Sequence, residues 1–372
     1  NLGIHFPSDN TTALSSIERS LNLFTVRIRE KFTRWLERSA RYIDIMKGIL
    51  KERKLPEELV FLPIVESGFN CNAYSRARAV GPWQFIEATA KRYGLVVDWW
   101  RDERRDPVKS TEAAAAYLRD LYKMFGSWNL ALAGYNAGEG TILRALKKTD
   151  ADDYWSLLHT KQIRDETKEY VSHFLAATMI AHAPEEYGFS NLAYHQPLEY
   201  DEVVITTALD LQVIAECSDA SLEEIRELNP ELRRWSTPPN VDSYVVRLPK
   251  GTKDIFTENL LMLPEEERFS FDNYTVKKGE DFKKIASKLN LPVSVILALN
   301  DMSGIEQLKR GSEIRIPPQG KFLPDLDDRM SAKKVSLTKK APGKQKSSVK
   351  SRSRTLKDTS RKSKDKIKAR RI

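Results

Sequence analysis

Between positions 15 and 54 large apolar side chains return at steps of three and four residues, among them Ile17, Leu21, Phe24, Ile28, Phe32, Trp35 and Leu36. An α-helix places residues at that spacing on one face, so this stretch is expected to pack helically against a neighbouring element. The same reading places further helices near 111–125, 130–146 and 165–183, and the chain is predicted to be mainly α. With 372 residues, 41% of them hydrophobic, it is long enough for two or three domains with cores of their own. Residues 1–53 are expected to brace the helical lobe that follows them.

Charge is divided unevenly along the chain. Residues 329–372 hold eighteen Lys or Arg against two Asp, a net of +16, and the whole chain carries +9, so residues 1–328 carry +9 − 16 = −7. The basic segment has almost no large apolar side chains. It is predicted to be disordered, because it cannot bury enough surface to offset the entropy of ordering. With no interleaved aromatics and no nucleic-acid fold ahead of it, its expected partner is an anionic wall or membrane surface rather than nucleic acid.

Two segments between the helical lobe and the basic tail share a rhythm. Residues 272–318 open on Tyr274-Thr275-Val276, continue through helical stretches at 282–289 and 293–299 to Asn300, and close on Glu313-Ile314-Arg315-Ile316. Strand, helix, helix, strand is the predicted order. This pattern resembles a LysM domain, a small βααβ module, and the resemblance implies binding of glycans that contain N-acetylglucosamine. It places a groove between Gly279, Glu280 and Asp281 on one side and the loop after Asn300 on the other, within a domain at 270–319. Residues 201–250 echo the order more faintly, with a strand at 203–205, helices at 211–215 and 222–228, Asn229 at the turn and a last strand at 244–249. They are identified as a diverged LysM-like module within 191–255.

The chemistry is concentrated around one carboxylate. The apolar run Leu59-Val60-Phe61-Leu62-Pro63-Ile64-Val65 delivers Glu66, with Pro56 suited to a first helical turn and Glu57 and Glu58 favoured at the positive end of the helix dipole. A carboxyl group that loses water at such a place favours its neutral form. Its pKa rises toward neutrality and it can hold a proton for a leaving oxygen. Taken alone, a glutamate at a helix end is usually a surface residue, so the weight falls on its company.

That company is Gly81-Pro82-Trp83-Gln84-Phe85, then Ala133-Gly134-Tyr135-Asn136-Ala137-Gly138, then Glu166-Thr167-Lys168-Glu169-Tyr170. In this order, after Glu66-Ser67, the motifs resemble the soluble-lytic-transglycosylase-like enzymes of goose-lysozyme-type fold, tightly over about 54–188 and more loosely from position 15. The resemblance implies a lysozyme-like domain at 54–190 in which Glu66 is the catalytic acid, Ser67 holds substrate, Gln84 is the Gln of a Gly-x-x-Gln motif, Tyr135 and Asn136 are a Tyr-Asn pair, and Tyr170 lies near the acid. Gly134 stands where Ala is more usual. The residues also make sense by themselves: sugar rings have apolar faces and polar edges, which suits aromatics such as Trp83 and Tyr135 interleaved with amides such as Gln84 and Asn136. The alternative is that the aromatics are core and the amides cap turns, with one of Trp83 and Phe85 packing inward.

Ordinary glycoside hydrolases use two carboxylates, whereas these motifs supply one. Glu66 would act twice, first protonating the oxygen between N-acetylmuramic acid and N-acetylglucosamine, then accepting the proton of the muramic acid's C6 hydroxyl as that oxygen closes onto C1. The expected product is a 1,6-anhydro end. The resemblance also implies that the sugar's 2-acetamido group shelters the cationic intermediate. Glu139 is the best candidate for a second carboxylate, with Glu87 and Asp98 behind it, and a second carboxylate would favour a lysozyme-like hydrolase. A non-catalytic peptidoglycan-binding scaffold is the other alternative.

No cofactor or metal is expected: His5, His159, His173, His182 and His195 lack metal-ligand spacing and are read as caps and surface residues. Cys71 and Cys217 fall in separate predicted domains, which fits two lone thiols or an interdomain bridge. Gly138-Glu139-Gly140 reads as a tight turn before a helix, not a phosphate loop. The chain has no apolar run of membrane-spanning length. It begins without Met, so a leader removed from a precursor is expected, with a periplasmic or cell-envelope location and a lipid anchor upstream as an open option.

Overall fold

The computed structural model describes Ile4, Pro7 and residues 9–305 and 307–320; the basic segment 329–372 and His5 lie outside the described residues. The first part is helical throughout. Its elements are α1 (Thr11–Asn22), α2 (Arg29–Ser39), α3 (Ile43–Glu52), α4 (Leu62–Ser67), α5 (Glu87–Arg92), α6 (Pro107–Phe125), α7 (Trp128–Ala137), α8 (Glu139–Thr149), α9 (Tyr154–Leu157) and α10 (Asp165–His182). Helix α10 packs on α1, α4 and α7, and α6 packs on α3 and α7. A single apolar cluster running from Ile4 to Phe189 fills the space between them, so the opening helices belong to the same core as the lobe they brace.

The opening segment is three helices, broken where its apolar spacing drifts. Residues Leu23–Arg27 form a π turn closed by the Ile28 amide on the Leu23 carbonyl at 2.9 Å. The extra residue turns the following apolar set back toward the core, and the Phe24 and Phe32 rings stack 4.6 Å apart. The helix expected over 130–146 is likewise two helices, because Gly138 (φ 83°) interrupts it. Pro56 precedes a 3₁₀ turn at Glu57–Phe61 rather than opening an α-helix, and α4 follows with Pro63 in its own first turn.

Two βααβ modules follow. The first comprises β1 (Tyr200–Ile205), α11 (Leu211–Cys217), α12 (Leu222–Leu228) and β2 (Tyr244–Pro249), with α13 (Lys253–Met262) appended. The second comprises β3 (Asp272–Thr275), α14 (Phe282–Leu289), α15 (Val293–Leu299) and β4 (Glu313–Ile316). Each pair of strands is antiparallel, Val203 facing Val246 in one and Tyr274 facing Ile314 in the other. Each module has its own small core. A fourth cluster joins Trp100 of the lobe, Trp235 of the first module and Val295 and Leu299 of the second.

Two glycines fix the turns that shape the site. Gly68 ends α4 in the left-handed region (φ 61°), and a Cβ there would lie 2.1 Å from the Trp35 indole. Gly81 (φ 83°) backs directly onto the Arg104 carbonyl, 1.8 Å from where a Cβ would sit. A side chain can turn aside and a packed backbone cannot. Gly81→Ala is therefore expected to lower the thermal midpoint more than Gly68→Ala, with backbone strain contributing on the order of 1–3 kcal/mol, as measured by calorimetry of the two variants.

Candidate active site

Glu66 is the last carboxylate of a short apolar helix whose end is closed by the Gly68 amide on the Ile64 carbonyl at 3.0 Å and by Arg38, which donates to the Gly68 carbonyl at 2.8 Å. Its side chain faces a cleft of about 950 Å³. The Tyr170 hydroxyl, from the middle of α10, donates to Glu66 Oε1. Burial pushes the Glu66 carboxyl up to about 7, the Tyr170 hydrogen bond holds back that rise, and the nearby Glu166 charge adds to it. The Tyr170 and Tyr135 hydroxyls are raised well above their ordinary range by burial and by the charge on Glu66, so both remain neutral donors.

Gln84, Tyr135, Asn136 and Tyr170 line the same cleft as Glu66. Tyr135 donates to the Trp83 carbonyl at 2.7 Å, Gln84 Nε2 donates to the Gly81 carbonyl at 2.8 Å, and Asn136 Oδ1 accepts from Thr167 at 2.8 Å. One expected substrate contact is corrected, and a second has its hydroxyl engaged within the protein. Trp83 is fully buried, its indole N–H donating to Thr111 at 2.8 Å, because the turn at Gly81 and Gln84 points it into the core. Ser67 lies outside the cleft lining; its hydroxyl donates to the Pro82 carbonyl at 2.9 Å and accepts from the Asn70 amide at 3.1 Å, tying the end of α4 to the Gln84 loop. Phe85 also packs inward, bordering the cleft beside Tyr117.

Of the other carboxylates, Glu139 lies in the cleft and Glu87 and Asp98 do not. Glu139 accepts from Arg92 at 2.9 Å and from Tyr117 at 3.2 Å. Its own backbone amide, then Arg92 and Tyr117, hold it below the usual carboxylate range. It is thus an ionised, partnered group, opposite in character to Glu66. Glu87 pairs with Lys91 on the exposed face of α5, and Asp98 caps the turn at Trp100 and Arg101.

The sequence reading gave no role to Glu166, Glu169 and His173, and it read His173 as a cap or surface residue; all three line the cleft. The signal was available, since Glu166, Tyr170 and His173 are spaced by four and three on α10 and share a face. His159, His182 and His195 lie elsewhere, and among the described residues no three His, Cys, Asp or Glu side chains are grouped as metal ligands. Cys71 and Cys217 are both free and buried. Burial pushes the Cys71 thiol up to about 12 although Tyr42 bonds to it, which makes it a poor nucleophile.

In the second module Asp281 caps α14 through the Lys284 amide, and Glu280 accepts from Tyr274 and from the Lys277 amide. Asn300 bridges the Ile296 and Arg315 carbonyls and accepts from the Arg315 amide. These side chains shape the loops of the predicted groove.

Comparison with known proteins matches this arrangement. The transglycosylase SLT domain model matches residues 45–158, the LysM-like domain model of lytic transglycosylase MltD matches 199–265, and the LysM domain model matches 274–317. The chain is 31% identical over 315 residues to membrane-bound lytic murein transglycosylase D of Escherichia coli strain K12, covering 78% of this chain and 68% of that protein. The chain belongs to the lytic murein transglycosylase D family. A putative tributyltin chloride resistance protein of Alteromonas sp. strain M-1 is 39% identical over 115 residues, covering 30% of this chain and 56% of that protein. The 70-kDa soluble lytic transglycosylase of Escherichia coli shares 19% identity and a TM-score of 0.37, covering 51% of this chain and 34% of the solved one. As a family member the chain is a lytic transglycosylase carrying LysM-type modules.

A carboxyl that binds its proton more tightly in the folded chain than in the unfolded one contributes stability that is complete below the ordinary value of 4.5 and lost as pH rises through about 7. Glu66→Gln, which cannot ionise, is therefore expected to melt at a higher temperature than the parent at pH 8, with the difference disappearing at pH 4. Calorimetry of both proteins at the two pH values measures this.

Proposed function

We propose that Glu66 alone performs both proton transfers in cleavage of the bond between N-acetylmuramic acid and N-acetylglucosamine in murein, leaving 1,6-anhydro ends. The observation that carries the reading is the Tyr170 hydroxyl bonded to Oε1 of a carboxyl that lines the cleft, where burial pushes Glu66 up to about 7. With Oε1 accepting from Tyr170, the transferable proton sits on Oε2, and the group is poised to release it near neutral pH. After the bond opens, the Glu66 carboxylate takes the proton of the C6 hydroxyl. That nucleophile belongs to the same sugar ring, so its effective concentration is high without a second side chain to hold it.

Gln84, Asn136 and Tyr135 are the proposed contacts to the sugar's polar edges and apolar face, since their side chains border the cleft beside the acid. Glu139 is a weak candidate for a hydrolytic base because Arg92 and Tyr117 already engage both its oxygens. The LysM domain at 274–317 supports retention on peptidoglycan, with the loops at Gly279–Asp281 and after Asn300 as the proposed groove. Murein places this chemistry in the cell envelope. Among the described residues no helix is long and apolar enough to cross a membrane.

Mass spectrometry of purified murein digests tests the reading. The parent should release fragments lighter by one water than reducing-end products, and Glu66→Gln should lower their rate by about 10³-fold, as loss of a general acid does. Reducing ends from the parent, or an undiminished rate in the variant, would reject it.

A further inference from the structure

The two βααβ modules are built alike but differ in the fate of the groove. Asn229 of the first repeats the bonding of Asn300 in the second: its amide donates to the Ile225 and Arg247 carbonyls at 2.8 Å each, and its Oδ1 accepts from the Arg247 amide at 2.9 Å. The equivalent groove in the first module therefore lies between the loop 206–210 and the segment that follows Asn229. That space is closed. Leu211 donates to the Trp235 carbonyl at 2.7 Å, Thr237 donates to the Leu209 carbonyl at 2.9 Å, and Asp210 bridges to Ser236. Leu209, Ser236 and Thr237 are wholly buried.

The closed groove is docked on the catalytic lobe. The Asp102 amide donates to the Glu231 carbonyl at 2.8 Å, the Arg233 amide to the Trp100 carbonyl at 2.9 Å, and Arg234 Nε to the Trp99 carbonyl at 2.7 Å. Arg247 pairs with Asp106 at 3.0 Å on the same face. On the lobe side of this joint Asp102 grips Arg104 through both carboxylate oxygens at 2.8 Å. Arg104 Nη1 in turn donates to the Arg78 carbonyl at 3.1 Å and to the Phe85 carbonyl at 3.2 Å. Those two carbonyls flank strained backbone, for Arg78 (φ 63°) and Gln84 (φ 50°) both sit in the left-handed region without being glycine.

We infer that the first LysM-like module has exchanged glycan binding for a scaffolding role, and that Arg104, held by Asp102, whose backbone amide is bonded to that module, is the positioning residue that keeps the Gln84 loop in its strained, cleft-facing shape. The inference rests on the cleft being the site of cleavage only for its kinetic part. Arg104 touches no substrate; it acts through the loop. A displacement of that loop by about an ångström is enough to change turnover on the order of 10²-fold while leaving retention through the second module intact.

The test uses the full chain. Arg104→Met removes the grip, and Arg104→Lys keeps the charge beside Asp102 but lacks the planar guanidinium that grips Asp102 with two nitrogens and reaches both carbonyls with the third. Both are expected to lower kcat on murein at least tenfold with KM changed less than threefold, and to raise amide exchange across 78–86 at least tenfold over the parent. Turnover within twofold of the parent for the Lys variant, with unchanged exchange at 78–86, would overturn the positioning role. Should the Met variant fail to fold, the Lys variant carries the test. On the unmodified chain, N-acetylglucosamine oligomers should protect the loops at 277–281 and 300–305 from exchange and leave 206–210 and 230–237 unaffected. Protection at the latter segments would overturn the closed-groove reading. Failure of the parent to form anhydro ends would sink the cleavage chemistry alone, because the exchange measurements need no turnover.

Discussion

The contact on which the site depends is the hydrogen bond from the Tyr170 hydroxyl to the Glu66 carboxyl at the end of a buried apolar helix. Burial alone would drive the acid's affinity for its proton further up, and the phenol tempers that rise by stabilising the charged form. The pair also crosses the fold, since α4 carries the acid and α10 the phenol, and these helices pack in the same core as α1 and α7. The geometry of proton transfer is therefore tied to the packing of the whole helical lobe.

A second constraint comes from the charged run Arg101-Asp102-Glu103-Arg104-Arg105-Asp106. Asp102 and Asp106 are wholly buried, and Glu103, Arg104 and Arg105 nearly so. Charges tolerate burial when each is paired and hydrogen-bonded, and here Arg104 answers Asp102, Lys109 answers Glu103 and Arg247 answers Asp106. The Glu231 carboxyl, buried in the same joint, is raised by burial and by Asp106, and the Tyr244 hydroxyl donates to it at 2.9 Å. The run joins three parts of the chain: the cleft loop, the first module and, through the tryptophan cluster, helix α15 of the second.

Much of this was legible in the sequence where local signals agree with one another. Helices α14 and α15 span the residues the strand-helix-helix-strand rhythm assigns them, and the strands that flank them alternate in burial as a half-buried antiparallel pair must. The place of Glu66 in the cleft was legible through its company, since the motifs at 81–85, 133–138 and 166–170 supply the Gln84, Tyr135, Asn136 and Tyr170 that line the cleft with it. Trp83 was misread because a left-handed residue at Gln84 reverses which side chains of the loop face the cleft, and no periodicity records that. The 101–106 run was passed over for a related reason. By composition it is a solvated loop, and its burial follows from partners up to 141 residues away, as in the Arg247 to Asp106 bond.

The most direct test of a single, neutral, double-acting carboxyl is its titration in the folded chain, followed by carbon NMR of labelled glutamate with Glu66→Gln used to assign the signal. A midpoint near 7 is predicted from its burial. A midpoint near the ordinary 4.5 would mean that Glu66 is ionised at neutral pH and cannot be the proton donor.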